Sequence, residues 1–273
     1  MSTAGNAVGS IVGTRAATHV HATAIVDAGA ELGGGVVVGP WALIGPGVRI
    51  GSGTVVGPRV LIERDTRVGE DCLLANGAVL GTDPQDLKYE GEHSILEVGD
   101  RTVVREFATL NRGTEESGRT VIGSDCLLMA YSHVAHDCEI GNHVVLANSV
   151  NMAGHVVIED WAIVGGVTPI HQHVRIGAHA FVGGGSRVPQ DIPPYCRAAG
   201  NPPKLYGVNS VGLERRGFSP EVRRALKGAY RVLFSGSENL SKAVARAERE
   251  VEGIPEVNHL LAFIRASERG ITT

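Results

Sequence analysis

Aliphatic side chains fall on every sixth position along most of this 273-residue chain. Val20, Val26, Leu32, Val38, Ile44 and Ile50 open a run that holds to Leu80. Ile122, Leu128, Val134, Ile140 and Leu146 open a second that holds to Val188, and Val98, Val104 and Leu110 keep the beat between them. Two residues before each aliphatic sits a small or β-branched residue, as at Ala24, Ala30, Val36, Cys126, Ser132 and Cys138. Residues two apart in a strand share a face, so each hexad turns one large and one small side chain inward. A fixed six-residue repeat predicts a parallel β-helix rather than a sandwich. Gly often follows the aliphatic, as at Gly33, Gly39, Gly45 and Gly51. These glycines are expected to supply the backbone angles of the corners between three flat sides.

The beat is broken twice, at 81–93 and at 112–119, by turn formers and charges without an inward register. Insertions in a repeat leave the core and project as loops, often on the binding face. Near Pro189 the repeat stops, and Pro193-Pro194 and Pro202-Pro203 are expected to end the ladder, since proline has no N–H to give. Ser219-Pro220-Glu221 reads as a helix start, with Val222, Leu226, Ala229 and Leu233 on one apolar face. Leu240–Val251 and Val257–Ala266 read as further helices. The expected organisation is a loose tail over 1–19, a β-helix over 20–200 with its two loops, and a helical domain over 201–273 that caps the last coil.

Aromatics make up only 4% of the chain, which suits a narrow aliphatic core. A net charge of −4 gives no ground for nucleic-acid binding or for attraction to anionic membranes. The tail lacks the apolar stretch of a signal peptide, and no segment is long and apolar enough to span a bilayer, so no stable membrane insertion is expected. Cys72, Cys126 and Cys138 occupy the small inward position, and a reducing, cytoplasmic location is expected.

Candidate chemistry concentrates in Ser132-His133-Val134-Ala135-His136-Asp137-Cys138. The core accounts for Ser132, Val134 and Cys138, so His133 and His136 should point outward, with Asp137 placed to orient an imidazole. If a coil is three hexads, His136 lies under Gly154 and His155 under His173. Three readings remain open on the residues alone: a general base beside a backbone oxyanion donor, a zinc site like that of carbonic anhydrases on the same fold, or solvated surface histidines.

Longer motifs narrow the choice: Gln85-Asp86-Leu87-Lys88-Tyr89, Asn111-Arg112-Gly113-Thr114, His133 through Cys138, Ala153-Gly154-His155, His171-Gln172, Gly207-Val208-Asn209 and Gly212 through Ser219. Together they resemble the UDP-N-acetylglucosamine acyltransferases of lipid A biosynthesis over nearly the whole chain after the tail. The resemblance implies a left-handed coil, a homotrimer, and transfer of a 3-hydroxyacyl chain from acyl carrier protein to a UDP-sugar, with no cofactor and no metal. It makes His136 the base, Asp137 its orienting partner and Gly154 the oxyanion donor. It places Gln85, Asp86, Lys88, Asn111, His133, His155, Gly166, His171, Gln172 and Gly184 at the sugar and acyl chain, with Asp86 and Lys88 reaching across a subunit boundary. Asn209, Arg215 and Arg216 would take the uridine diphosphate, since an Arg fork matches phosphate.

The chain departs from the family at two points. Asn111 stands where some members carry His, and Pro202 follows Gly200-Asn201 where some carry His. Acyl-chain length is therefore left open, as is the choice between a 3-hydroxyl and a 3-amine acceptor. The related N-acyltransferases carry an additional N-terminal domain, for which a repeat beginning at Val20 leaves no expected room.

Overall fold

The computed structural model describes residues 17–236, 238–250 and 253–273. Of the expected tail, residues 1–16 lie outside the described residues, as does Val251 of the second later helix. From His19 onward, two-residue strands pass in rotation to three sheets. Every third strand stacks in parallel on the one before, so Leu127 pairs with Val145 and Val145 with Ile163 in the first sheet. His133 pairs with Asn151 in the second sheet, and Glu139 with Val157 in the third. One turn of the chain is therefore eighteen residues, the three hexads read from the sequence.

Between Leu73 and Val103 the pairing distance grows to thirty residues, and between Val103 and Leu127 to twenty-four. Both increments over eighteen are multiples of six. That is why the aliphatic beat keeps its phase across two loops that are not part of the sheets. The inward aliphatics form one core, from Val36 and Val38 to Val188 and Ile192, in which Leu74, Leu80, Leu110, Leu128 and Leu146 have no exposed surface. Val20 remains 41% exposed because no described coil covers it from below.

The corners correct one expectation. Except at Gly81 (φ 75°), where the first loop leaves the coil, the residue with positive φ is not the glycine after the aliphatic but the residue two further on, as at Asp71 (φ 53°), His143 (56°) and His155 (60°). The earlier glycine is needed for close approach between coils. A Cβ on Gly51 would stand 2.4 Å from the Gly69 carbonyl carbon and 2.6 Å from the Glu70 nitrogen, closer than any side chain can sit.

The prolines do not end the ladder. Cys196–Gly200 pairs in parallel with Phe181–Val182, and Pro203–Val208 then folds back antiparallel on it, with Ala198 opposite Leu205. Pro193 and Pro194 precede this strand and cost it no N–H, while Pro203 is the first residue of its own strand, where proline is tolerated. The region assigned to helices from residue 201 thus begins with a strand.

Helices follow at Ser210–Arg215 (α1), Pro220–Phe234 (α2), Leu240–Glu250 (α3) and Pro255–Arg265 (α4). Ser219 caps α2 by accepting from the Val222 N–H, and Leu226, Ala229 and Leu233 are buried. Their core includes Tyr195 from the last turn of the β region. Tyr195 Oη meets His259 Nδ1 of α4 at 2.9 Å, and His259 Nε2 meets Glu159 at 3.0 Å, fixing the helices to the last coils. The C-terminal segment returns as well: buried Asp191 accepts from the Ser267 hydroxyl (2.7 Å) and its backbone carbonyl from Thr272 N–H (2.9 Å).

Candidate active site

The corner between the second and third sheets carries Asp137, His155 and His173, all with φ near 60°. Residues eighteen apart stack there. His155 lies on His173 with ring centroids 4.5 Å apart, and His136 meets His155 edge-on at 5.2 Å. A Cβ on Gly154 would come within 2.5 Å of the His136 ring, so only glycine lets the backbone lie flat against that imidazole. No hydrogen bond ties the Gly154 N–H to another described residue.

His136 Nδ1 and Asp137 Oδ2 are 2.7 Å apart. A carboxylate only accepts, so Nδ1 carries the proton and Nε2 presents its lone pair, the arrangement a general base needs. The Asp137 side chain is fully enclosed. Burial pushes its carboxyl up, but hydrogen bonds from His136, Ser117 and Thr114 outweigh this and hold it well below the ordinary carboxylate range. The Thr114 N–H donates to Oδ1 (2.9 Å) and its hydroxyl to Oδ2 (2.7 Å), while Ser117 Oγ lies against Oδ1. The Asp137 hydrogen bond in turn raises the His136 pKa above that of free imidazole, against a smaller lowering by burial. His133 goes the other way. Burial and then the neighbouring His136 lower its pKa, and its Nδ1 is paired with Thr109 Oγ1 at 2.7 Å.

A cleft of about 520 Å³ opens over this corner. The first loop lines one side with Gln85, Asp86, Lys88 and Tyr89, and the second loop brings Thr114, Glu115 and Glu116. His136, His155, Gln172 and His173 form the wall. Within one chain, Asp86 and Lys88 therefore already stand beside the His136 corner. Their loop folds over the cleft of its own chain, and Asp86 adds to the field that raises the His136 pKa.

Other expected site residues lie elsewhere. Asn111 is 1% exposed and does not line the cleft; its Nδ2 donates to Thr82 Oγ1 (2.8 Å) and the Asp83 carbonyl (2.9 Å). His171 is exposed and pairs with Arg269 at 3.1 Å. Gly166 and Gly184 stack on each other beside the corner between the first and second sheets. Asn209 caps α1 and donates to the His179 carbonyl at 3.0 Å, near the third corner. There Arg216 lies over the Trp161 ring at 5.0 Å and faces His179 Nδ1 at 3.5 Å. Burial, then the Arg216 charge, pushes His179 down to about 4, so that it meets the guanidinium as a neutral acceptor. Sequence reasoning missed Thr114 and Ser117 as holders of Asp137. The signal was present in the Asn111–Thr114 motif, but no periodicity connects a loop hydroxyl to a corner carboxylate 23 residues later.

The repeat and the cleft define a hexapeptide-repeat transferase. The model for "Bacterial transferase hexapeptide (six repeats)" matches residues 47–82 and 119–154, and that for "Udp N-acetylglucosamine O-acyltransferase; Domain 2" matches residues 191–272. The acyl-[acyl-carrier-protein]–UDP-N-acetylglucosamine O-acyltransferase of Burkholderia lata is 50% identical over 260 residues, 93% of this chain and 99% of that one. Its Burkholderia thailandensis counterpart is 48% identical over 71% of this chain and 76% of its own length. The solved UDP-N-acetylglucosamine O-acyltransferase of Moraxella catarrhalis superposes with a TM-score of 0.90 at 38% identity, covering 93% of this chain and 99% of that chain. The chain belongs to the acyl-[acyl-carrier-protein]–UDP-N-acetylglucosamine O-acyltransferase family.

Proposed function

We propose that this chain transfers a (R)-3-hydroxyacyl group from acyl carrier protein to the 3-hydroxyl of UDP-N-acetylglucosamine, the first step of lipid A biosynthesis. The observation that carries the mechanism is the Asp137–His136 pair lying against the bare backbone of Gly154. His136 Nε2 takes the proton of the sugar 3-hydroxyl as its oxygen attacks the thioester carbonyl. The Gly154 N–H receives the oxyanion, and collapse of the tetrahedral intermediate expels the carrier thiolate, which takes the proton back from His136. Asp137 holds the tautomer and steadies the imidazolium.

The cleft itself carries Asp86, Glu92, Glu115 and Glu116 against a single Lys88. Such a lining suits a sugar and a thioester but not a diphosphate. Arg215 and Arg216, on a different corner, supply the missing charge if they come from a second copy. We therefore infer a homotrimer in which a coil, left-handed as in the family, shares each site between neighbours. A cytoplasmic location fits the acyl carrier protein substrate; no described helix is long and apolar enough to cross a membrane.

A metal reading has one observation in its favour: donor atoms of His136, Asp137 and His155 lie within 4.8 Å of one another. Against it, His136 Nδ1 and Asp137 Oδ2 are already committed to each other. Activity is expected to survive exhaustive chelation, and stoichiometric zinc lost together with activity would favour the hydratase chemistry instead. The test of the main reading is a panel of 3-hydroxyacyl carrier proteins with UDP-N-acetylglucosamine, followed by mass analysis. An acylated UDP-sugar that mild alkali cleaves is the expected product. No acyl transfer to the sugar from any carrier would overturn the assignment, and an alkali-stable amide would move it to a 3-amine acceptor.

A further inference from the structure

Three charged side chains are buried among the described residues: Arg112, Asp137 and Asp191. Two of them flank the cleft. Arg112 has no exposed surface, and its Nε finds no acceptor, an arrangement that costs stability and is retained only for a reason. Almost everything it holds belongs to the loop that lines the cleft. Its Nη1 donates to the Gly81 carbonyl and its Nη2 to Asp83, while Tyr89 Oη lies 3.1 Å from Nη2. Tyr89 Oη also meets Asp83 at 3.3 Å, so the two ends of the Asp83–Tyr89 span close on the buried Arg112 guanidinium, with the more exposed Arg64 reaching both at 3.4 Å from outside. Within that span Asp86 turns the chain, its Oδ1 accepting from Lys88 N–H at 3.0 Å and its carbonyl from Tyr89 N–H at 3.1 Å. Two residues after Arg112, Thr114 holds the Asp137 carboxylate.

We propose that Arg112 is a positioning residue for acyl transfer: it fixes the loop bearing Gln85, Asp86 and Lys88 against the cleft, in register with Thr114 on the catalytic carboxylate. The Arg112-Gly113-Thr114 segment thus sets the distance between substrate loop and base. Lysine cannot replace it, because one ammonium cannot span a carbonyl, a carboxylate and a phenol in the geometry of a planar fork. The proposal rests on the reading that Asp86 and Lys88 touch the substrate.

The test keeps these two readings apart. Arg112→Lys is the direct variant. Asp83→Asn and Tyr89→Phe act from the loop side and leave the buried guanidinium in place. In the full-length enzyme each is expected to lower kcat/KM about 10- to 100-fold, the scale of a misplaced contact group. Amides 88 and 89 should exchange faster in hydrogen exchange; the thermal midpoint of Tyr89→Phe should stay near that of the parent, whereas Asp83→Asn, which strips the buried guanidinium of its nearest carboxylate, should lower it. In an Asp86→Ala/Lys88→Ala background, Asp83→Asn should cost nothing further, because it acts through groups already removed. Undiminished kcat/KM in all three variants would overturn the proposal while leaving the substrate role of the loop intact. Fully additive losses in the double-alanine background would overturn it too, in favour of a structural role. Full activity of Asp86→Ala/Lys88→Ala itself would remove the substrate reading and the positioning role with it.

Discussion

At the scale of single residues, the chemistry depends on which nitrogen of His136 is free. With Nδ1 tied to Asp137, only the neutral imidazole can accept a proton at Nε2, and protonation removes the base. Because Asp137 raises the His136 pKa, the rate should climb with pH through a midpoint above that of free imidazole. Asp137→Asn deletes the raising charge, so the acidic limb of kcat/KM should move to lower pH while the plateau falls. His136→Ala should abolish the limb and cost at least about 10²–10⁴-fold in kcat with the fold unchanged. A pH profile of the two variants beside the parent reads all of this; an unshifted limb in Asp137→Asn would assign the titration to another group. Gly154→Ala tests the opposite wall. Its methyl would force the His136 ring aside, and a loss of about 10²-fold in kcat is expected from that displacement. His136, Asp137, Gly154 and His155 were legible from spacing alone, since eighteen-residue stacking places them on one corner. Asn111 was not, because its burial follows from the path of a loop that no repeat dictates.

Among the elements, the six-residue beat carried almost the whole β region, including its survival across two loops that lengthen their coils by multiples of six. Two local features escaped it. The corner residue with positive φ is often Asp, His, Tyr or Trp, so composition does not mark it, and the glycines that composition does mark serve coil-to-coil contact. The antiparallel strand Pro203–Val208 was hidden by prolines that stand where no ladder N–H is required. The inward aliphatics bear most of the stability. Leu146 has no exposed surface and sits mid-column, its strand stacked between those of Leu128 and Val164. Leu146→Ala is expected to cost about 2–5 kcal/mol, read as a lower denaturant midpoint. Ser219→Ala removes only the α2 cap, at about 1 kcal/mol. A larger loss at Ser219 than at Leu146 would mean that the helical domain, not the β core, limits unfolding.

For the whole molecule, the proposed shared site and an uncovered apolar surface both call for a second copy. The His136 cleft and the Arg215–Arg216 pair occupy different corners, so neither can complete the other within one copy. The corner between the first and second sheets exposes Trp41, Phe107, Tyr131 and Val167, and the adjoining sheet faces expose Val37, Val55, Leu73, Ile25 and Leu43. An apolar surface of this extent marks an interface, and a closed ring of three copies would bury it while bringing the arginines of one copy to the cleft of the next. Light scattering should therefore give a trimer at working concentration. Subunit mixing gives the sharper test. His136→Ala and Arg215→Ala/Arg216→Ala are each expected to be impaired, the first in turnover and the second in UDP-sugar affinity. Co-expressed, they should assemble some sites from two intact halves, about a quarter of the total in a randomly mixed closed ring. Activity at low UDP-sugar should then rise well above the sum of the separate variants. Activity equal to that sum would place cleft and arginines in independent roles, and the shared site would be abandoned even if the protein proved trimeric.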